Sequence, residues 1–326
     1  MTLAFVFPGQ GSQAVGMGQA LAEAFPVARH TFQEVDDALG QKLSRLMFEG
    51  PEEELRLTAN AQPALMAASL AVVRVLESEG KLRLVDKAAF VAGHSLGEYS
   101  ALAAAGSLQL ADAARLLRRR GEAMQAAVPV GVGAMAALLG LDLEAAQAAA
   151  AEAVAQGEGG RKDGHEGGRE VCAAANDNAP GQVVISGHAA AVERACEIAK
   201  AKGAKRAVLL PVSAPFHCSL MAPAADVMAE ALAAVAVAMP EVPLVANVTA
   251  SRLSDPDEIR RKLVEQVTGM VRWRESVAYM AAQGVETVIE LGAGKVLTGL
   301  NKRIERALAA QGAETPQEVE AVLALL

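Results

Sequence analysis

The sequence predicts an α/β fold: a large unit built on a mostly parallel sheet, with a smaller unit set into it over residues 131–210. Three observations predict it. Short apolar strands alternate with helical patterns from residue 3 to about residue 127, the rhythm of strands joined by crossover helices. Between 131 and 210 that rhythm changes to βαββαβ. The composition, 52% hydrophobic and 21% charged over 326 residues, supplies a sizeable core and excludes a disordered chain.

Taken in order, Leu3–Phe7 is an apolar strand that runs into Pro8-Gly9-Gln10-Gly11-Ser12-Gln13, a turn suited to the carboxyl edge of an open sheet. Helical spacing follows over 15–24, 27–39 and 61–79. Lys87–Ala92 reads as a buried strand, Leu96–Ala105 as an Ala-rich helix and Leu110–Ala127 as an amphipathic one. The smaller unit reads as strand Ala134–Leu139, helix Leu143–Gln156, strands Glu170–Ala175 and Gln182–Ser186, helix Ala190–Ala201 and strand Arg206–Pro211. This is the split βαβ pattern of a ferredoxin-like unit, and its polar, Gly-rich stretch Gly157–Arg169 reads as a surface loop. Residues 1–130 and 211–326 are thus expected to form the large domain and 131–210 the small one.

Charge and cysteine content narrow the function classes. Lys+Arg 30 against Asp+Glu 38 gives a net charge of −8, and no basic run carries interleaved aromatics, so nucleic acid is not expected as a partner. Cys172, Cys196 and Cys218 form no CxxC pair, which suggests neither a disulfide framework nor a metal site. The longest uncharged apolar stretch, Met124–Leu141, is broken by Pro129 and by glycines and falls short of the about 20 residues of a spanning helix. The N-terminus has no basic n-region. A monomer of the reducing cytoplasm, without a membrane partner, is expected.

The sharpest chemical signal is Gly93-His94-Ser95-Leu96-Gly97, a G-x-S-x-G between an apolar strand and a helix. That context makes Ser95 a candidate nucleophile on a strand–turn–helix elbow, with the Leu96 N–H and the helix N-terminus facing a developing oxyanion. A serine needs a base. His94 adjoins Ser95 on a tight turn and points elsewhere; His165 lies in the polar loop, His30 on a surface-type helix and His188 in a strand–helix turn. His217 is left, in the stiff segment Pro211–Cys218, either as the base or as a satisfied structural histidine. Asp112, Asp142, Asp163 and Asp177 sit at expected helix starts or in loops, where capping or solvation accounts for them. A Ser–His dyad whose imidazole is oriented by a backbone carbonyl is therefore expected. Arg120 falls on the apolar stripe of its helix, seven residues after Ala113 and four before Met124. It reads as a structural ion pair with a distant carboxylate or as a clamp for a substrate carboxylate. Gln10, on the turn after the first strand, reads as a surface turn amide or as a group within reach of the same sheet edge.

Several blocks of the chain resemble the bacterial malonyl-CoA:acyl carrier protein transacylases and the acyltransferase domains of polyketide synthases. They are FVFPGQGSQ, QPAL at Gln62–Leu65, GHSLGEYSAL at Gly93–Leu102, RRGEAMQ at Arg119–Gln125, GQVVISG at Gly181–Gly187, PFHCSLM at Pro215–Met221 and GAGKVLTGL at Gly292–Leu300. The resemblance implies an α/β-hydrolase-like large domain with a ferredoxin-like insert. It implies malonyl-CoA as substrate, acyl carrier protein as partner and no bound cofactor. It assigns the malonyl ester to Ser95, general base and acid to His217, and the malonyl carboxylate to Arg120. The oxyanion hole goes to the N–H groups of Gln10 and Leu96, and the imidazole-orienting carbonyl to Gln266. Asn178 is implied near the active site, and Phe216 with Leu96 implies malonyl selection. A plain serine hydrolase, a non-catalytic carrier-protein-binding subunit and a transacylase for another extender unit are the rival readings, disfavoured in turn by the missing acidic triad member with the apolar-face Arg120, by the intact Ser95, His217 and Arg120, and by Phe216 with Leu96.

Overall fold

The computed structural model describes residues 2–159, 170–212 and 214–326. It is an α/β structure with two sheets. The larger has the order β10-β9-β1-β2-β7-β8, with β1 Leu3–Phe7, β2 Ala88–Gly93, β7 Leu244–Ala246, β8 Ser251–Leu253, β9 Thr287–Leu291 and β10 Ala309–Ala313. Pairing is parallel from β10 through β7, and β8 closes one edge antiparallel, so the sheet is mixed. Helices cover both faces, which is why β1 (LAFVF) is buried at every position. In β9 (TVIEL) even Glu290 is buried, its carboxylate accepting from the N–H groups of Leu297 and Thr298 and from the Thr298 hydroxyl, which caps the helix Val296–Ile304.

The second sheet has the order β4-β5-β3-β6, all antiparallel, from β3 Gly133–Leu139, β4 Cys172–Ala179, β5 Gln182–His188 and β6 Arg206–Leu209. The helices Leu143–Gly159 and Ala189–Ala201 lie against it around a core of its own, in which Ala136, Leu138, Ile185, Val192 and Ala195 pack.

Several bounds differ from those the sequence predicts. The strand expected at Glu170–Ala175 runs to Ala179, because β5 pairs along its length across two bulges. Asp177 is therefore not in a loop: it is a buried strand residue paired with Arg274 Nη2 at 2.7 Å. The first helix starts at Gln19 rather than at 15, since Gly16 and Gly18 adopt φ 95° and 79° in a preceding turn. The strand expected to reach Pro211 stops at Leu209. Gly157–Gly159 continue the helix from Leu143, and the rest of the expected loop, 160–169 with His165 and Asp163, lies outside the described residues. The helix Thr58–Gly80 is long and apolar enough to cross a membrane by length and composition, but 83% of its apolar window is buried inside the protein.

Candidate active site

β1 is the point at which the strand order departs in two directions, to β2 on one side and β9 on the other. Such a switch point leaves a crevice at the carboxyl ends of the strands. The turn after β1 and the elbow after β2 meet there around a cavity of about 330 Å³. The second sheet also contributes to its wall through Met135 and Asn176, joined by Leu210 just after β6.

Ser95 stands in the elbow with φ 53°. Close approach dictates the flanking glycines. A Cβ on Gly93 would lie 1.9 Å from the carbonyl carbon and oxygen of Gly97, and one on Gly97 would lie 2.3 Å from the carbonyl oxygen of Phe7. Asn247, just beyond β7, holds the turn: its Oδ1 accepts from the Ser95 N–H at 2.7 Å and its Nδ2 donates to the Gly93 carbonyl at 2.6 Å. Gly93→Ala is expected to lose more than about 4 kcal/mol, read as an early or absent cooperative thermal transition, because backbone rather than a flexible side chain would have to yield. An unchanged transition temperature would contradict this account of the elbow.

His217 meets Ser95 across the cavity, with Nε2 at 2.7 Å from Oγ. On its other side Nδ1 lies 2.9 Å from the Gln266 carbonyl oxygen and 3.1 Å from that of Gly269. Two carbonyls can only accept, so Nδ1 carries the proton and Nε2 is left to accept from the serine hydroxyl. Burial above all, then the Arg120 guanidinium, pushes the imidazole down to about 3, against the two carbonyl bonds that raise it. An unfolded histidine takes a proton near 6.5, so this depressed group stabilises the fold fully above that pH and progressively less as pH falls toward about 3. Wild type should accordingly lose more thermal stability than His217→Gln between about pH 7 and about pH 4. Parallel losses would refute the assignment of a neutral imidazole.

Arg120 is 1% exposed. Its Nη1 donates to Gln62 Oε1 at 2.8 Å, and its Nη2 to Gln266 Oε1 at 2.8 Å and to Ser95 Oγ at 3.1 Å. The guanidinium carbon lies 5.8 Å from the centre of the Tyr99 ring. Among the described residues every hydrogen-bond partner of Arg120 is neutral, and its Nε has none. The distant ion pair that the sequence left open is thus not what holds it. Burial lowers its pKa from the ordinary arginine value, which marks an under-compensated cation. Gly121 explains how Gln62 arrives: a Cβ there would lie 2.6 Å from Thr58 O and Ala59 Cα, so the two helices pack backbone to backbone.

Gln10, Leu96 and Phe216 line the same cavity as Ser95, Arg120 and His217. The Gln10 side chain accepts from Thr58 Oγ1 at 2.9 Å, which in turn accepts from Gln62 Nε2 at 3.0 Å. Asn178 does not line the cavity. It meets His94 Nε2 at 2.8 Å, and His94 reaches the wall in its place. Sequence reasoning missed a role for Gln62, Asn247 and the side chain of Gln266. The signal available was a lone amide within the apolar run of the helix Thr58–Gly80 and another at the end of a buried strand. Among the described residues no group of three or more His, Cys, Asp or Glu side chains is placed to hold a metal ion.

Comparison with known proteins agrees with this geometry. Residues 4–316 match the acyl transferase domain family. The malonyl CoA-acyl carrier protein transacylase of Escherichia coli K12 is 50% identical over 323 residues, 99% of either chain. The crystal structure of the acyl-carrier-protein S-malonyltransferase of Bartonella henselae superposes with a TM-score of 0.93 at 56% identity, covering 100% of this chain and 99% of its own. A malonyl-transacylase solved in complex with a type II polyketide synthase acyl-carrier protein superposes with a TM-score of 0.92 at 45% identity, over 100% of both chains. The chain belongs to the malonyl-CoA:acyl carrier protein transacylase family of acyl transferases.

Proposed function

We propose that this protein transfers the malonyl group of malonyl-CoA to the phosphopantetheine thiol of an acyl carrier protein by a ping-pong route through malonyl-Ser95, in supply of fatty acid synthesis. The observation that carries the reading is Arg120: a buried cation whose hydrogen-bond partners among the described residues are all neutral, 3.1 Å from the nucleophilic oxygen. A guanidinium beside the serine favours an acyl group that ends in a carboxylate, and its planar fork suits that carboxylate in two parallel hydrogen bonds.

In the first half-reaction Ser95 Oγ attacks the thioester carbonyl and passes its proton to His217 Nε2. The oxyanion lies between the N–H groups of Gln10 and Leu96, each donor contributing about 3 kcal/mol in the transition state. The C–S bond then breaks and His217 returns the proton to the CoA sulfur. In the second half the carrier thiol gives its proton to His217 as its sulfur attacks the ester, and Ser95 leaves with that proton. A bound malonyl carboxylate offsets the charge of Arg120, which after burial is the largest cause that holds His217 low. The base therefore strengthens when the intended acyl group is present. Phe216 and Leu96 bound the space beside the acyl carbon and favour the unbranched malonyl unit. Asn178 acts through His94.

We also read residues 1–130 and 211–326 as an α/β-hydrolase-like domain and 131–210 as a ferredoxin-like insert. The parallel arrangement around the elbow and the antiparallel order β4-β5-β3-β6 support that division.

Intact-protein mass after brief exposure to malonyl-CoA tests the function. A malonyl-sized adduct discharged by holo carrier protein is the expected result. Steady release of free malonate with no acceptor requirement would make the protein a hydrolase instead. Neither adduct nor turnover would remove malonyl-CoA as the donor.

A further inference from the structure

Glu98 belongs to the sequence block that carries the nucleophile, and the mechanism above makes no use of it. It lies on the first turn of the helix Gly97–Ala104 and is 1% exposed. Its Oε2 accepts from Gln266 Nε2 at 2.7 Å and from the Asn247 N–H at 3.2 Å, while Oε1 has no partner. Both residues it holds are hubs of the site. Asn247 pins Ser95 and Gly93. Gln266 offers its backbone carbonyl to His217 and its Oε1 to Arg120, and its Nε2 donates to the Ser95 carbonyl at 3.0 Å.

The orientation of the Gln266 amide is the crux. A primary amide can turn either way, and a wrong turn would aim its NH₂ at the guanidinium, donor against donor. Two acceptors, the Glu98 carboxylate and the Ser95 carbonyl, hold NH₂ on their side. Oε1 must then face Arg120. Among the described residues, the carboxylate that reaches Arg120 through this network is that of Glu98, which attracts the guanidinium.

We propose that Glu98 is a positioning residue for acyl transfer: it fixes the Gln266 amide, and so the Arg120 clamp, and it is the internal counter-charge with which the substrate carboxylate competes. The proposal rests on the malonyl reading above. Burial pushes the Glu98 carboxyl up to about 7, against its bonds to Gln266 and Asn247 and the attraction of Arg120. Around it, Arg120 stays cationic, burial pushes Tyr99 up to about 12, and His217 is held down at about 3; Gln266 and Asn247 do not titrate. His94, which burial also lowers, is neutral too. Glu98 is therefore the group there that changes charge near neutrality. Its ionised form offsets Arg120 before substrate arrives, and a bound carboxylate in turn favours the protonated form. Malonyl-CoA should bind more weakly as pH rises through about 7.

Steady-state kinetics with malonyl-CoA and acetyl-CoA on the full chain, for wild type, Glu98→Gln and Glu98→Ala, test this. In wild type the malonyl-CoA KM should rise roughly threefold to tenfold between about pH 6 and about pH 8 while the acetyl-CoA KM does not follow. Glu98→Gln retains an oxygen acceptor for Gln266 and Asn247, and should abolish that pH dependence. Glu98→Ala should lower the malonyl-over-acetyl ratio in kcat/KM by at least about tenfold, chiefly through KM, with Glu98→Gln restoring most of the ratio. A parallel loss of both activities in Glu98→Ala would reduce Glu98 to a structural role. A pH dependence of the malonyl KM that survives in Glu98→Gln would overturn the counter-charge on its own, even if Glu98→Ala fails to fold. Failure of the malonyl reading looks different: wild type itself would then show no malonyl adduct.

Discussion

Ser95→Ala is expected to form no acyl adduct with malonyl-CoA and to lose transfer by a factor on the order of 10⁶, the loss typical of a removed nucleophile. The protein should nevertheless fold, because Ser95 contributes to the elbow through its N–H and carbonyl, which alanine retains. His217→Ala should lose nearly as much, and the double variant scarcely more than either single one. The reason is geometric: Oγ and Nε2 lie 2.7 Å apart and work as one unit, so neither half has much to offer alone. Rates from quenched-flow acylation, or adduct mass against time, give the comparison. Losses that multiply in the double variant would mean that the two side chains act in separate steps, and the dyad would have to be abandoned.

Arg120→Ala is expected to lower kcat/KM for malonyl-CoA roughly 10²- to 10³-fold, in line with the about 2–5 kcal/mol lost when one partner of a buried charge pair is truncated. Acetyl-CoA turnover should fall far less, so the preference between the two substrates narrows or inverts. Two effects separate here. The clamp disappears, which affects only acyl groups with a carboxylate. The cation that depresses His217 disappears as well, which strengthens the base for any substrate. Arg120→Lys should recover little, since one ammonium cannot reach Gln62, Gln266 and the substrate carboxylate with the guanidinium's fixed geometry. Initial rates on the two CoA esters decide it; malonyl preference intact in Arg120→Ala would dismiss the clamp.

How much of this was legible in the sequence depends on the range of the interaction involved. The elbow was legible because its causes are local: Gly93 and Gly97 must be bare because the backbone folds against them within five residues and against β1. Arg120 was legible as a cation on an apolar stripe, although whether it met a carboxylate or an amide was not. His217 was reached by elimination, with no feature of its own segment to mark its orientation. The partners of the supporting amides were not legible. Gln62, Asn247 and Gln266 lie 58, 152 and 171 residues from the partners they hold, Arg120, Ser95 and Ser95. Their pairing is set by how whole helices and strands dock, which no periodicity records. The polar run Asn176-Asp177-Asn178 reads as chain beyond the end of the strand for the same reason: the partners Val271, Arg274 and His94 are far along the chain, and without them a polar stretch looks like a loop.

The two sheets contribute to the cavity unequally. Ser95, Leu96 and Arg120 belong to the segments around the six-stranded sheet, whereas Met135 and Asn176 stand on the four-stranded one and Leu210 just past its edge. None of these last three carries a reacting atom. The reacting atoms thereby stay with one layer, and the other supplies a further stretch of wall that can be re-cut while the first is left alone. Smaller residues at Met135 and Leu210 would lengthen the chamber for bulkier acyl chains without moving the dyad, which makes substrate range an adjustable property of this scaffold and reactivity a fixed one.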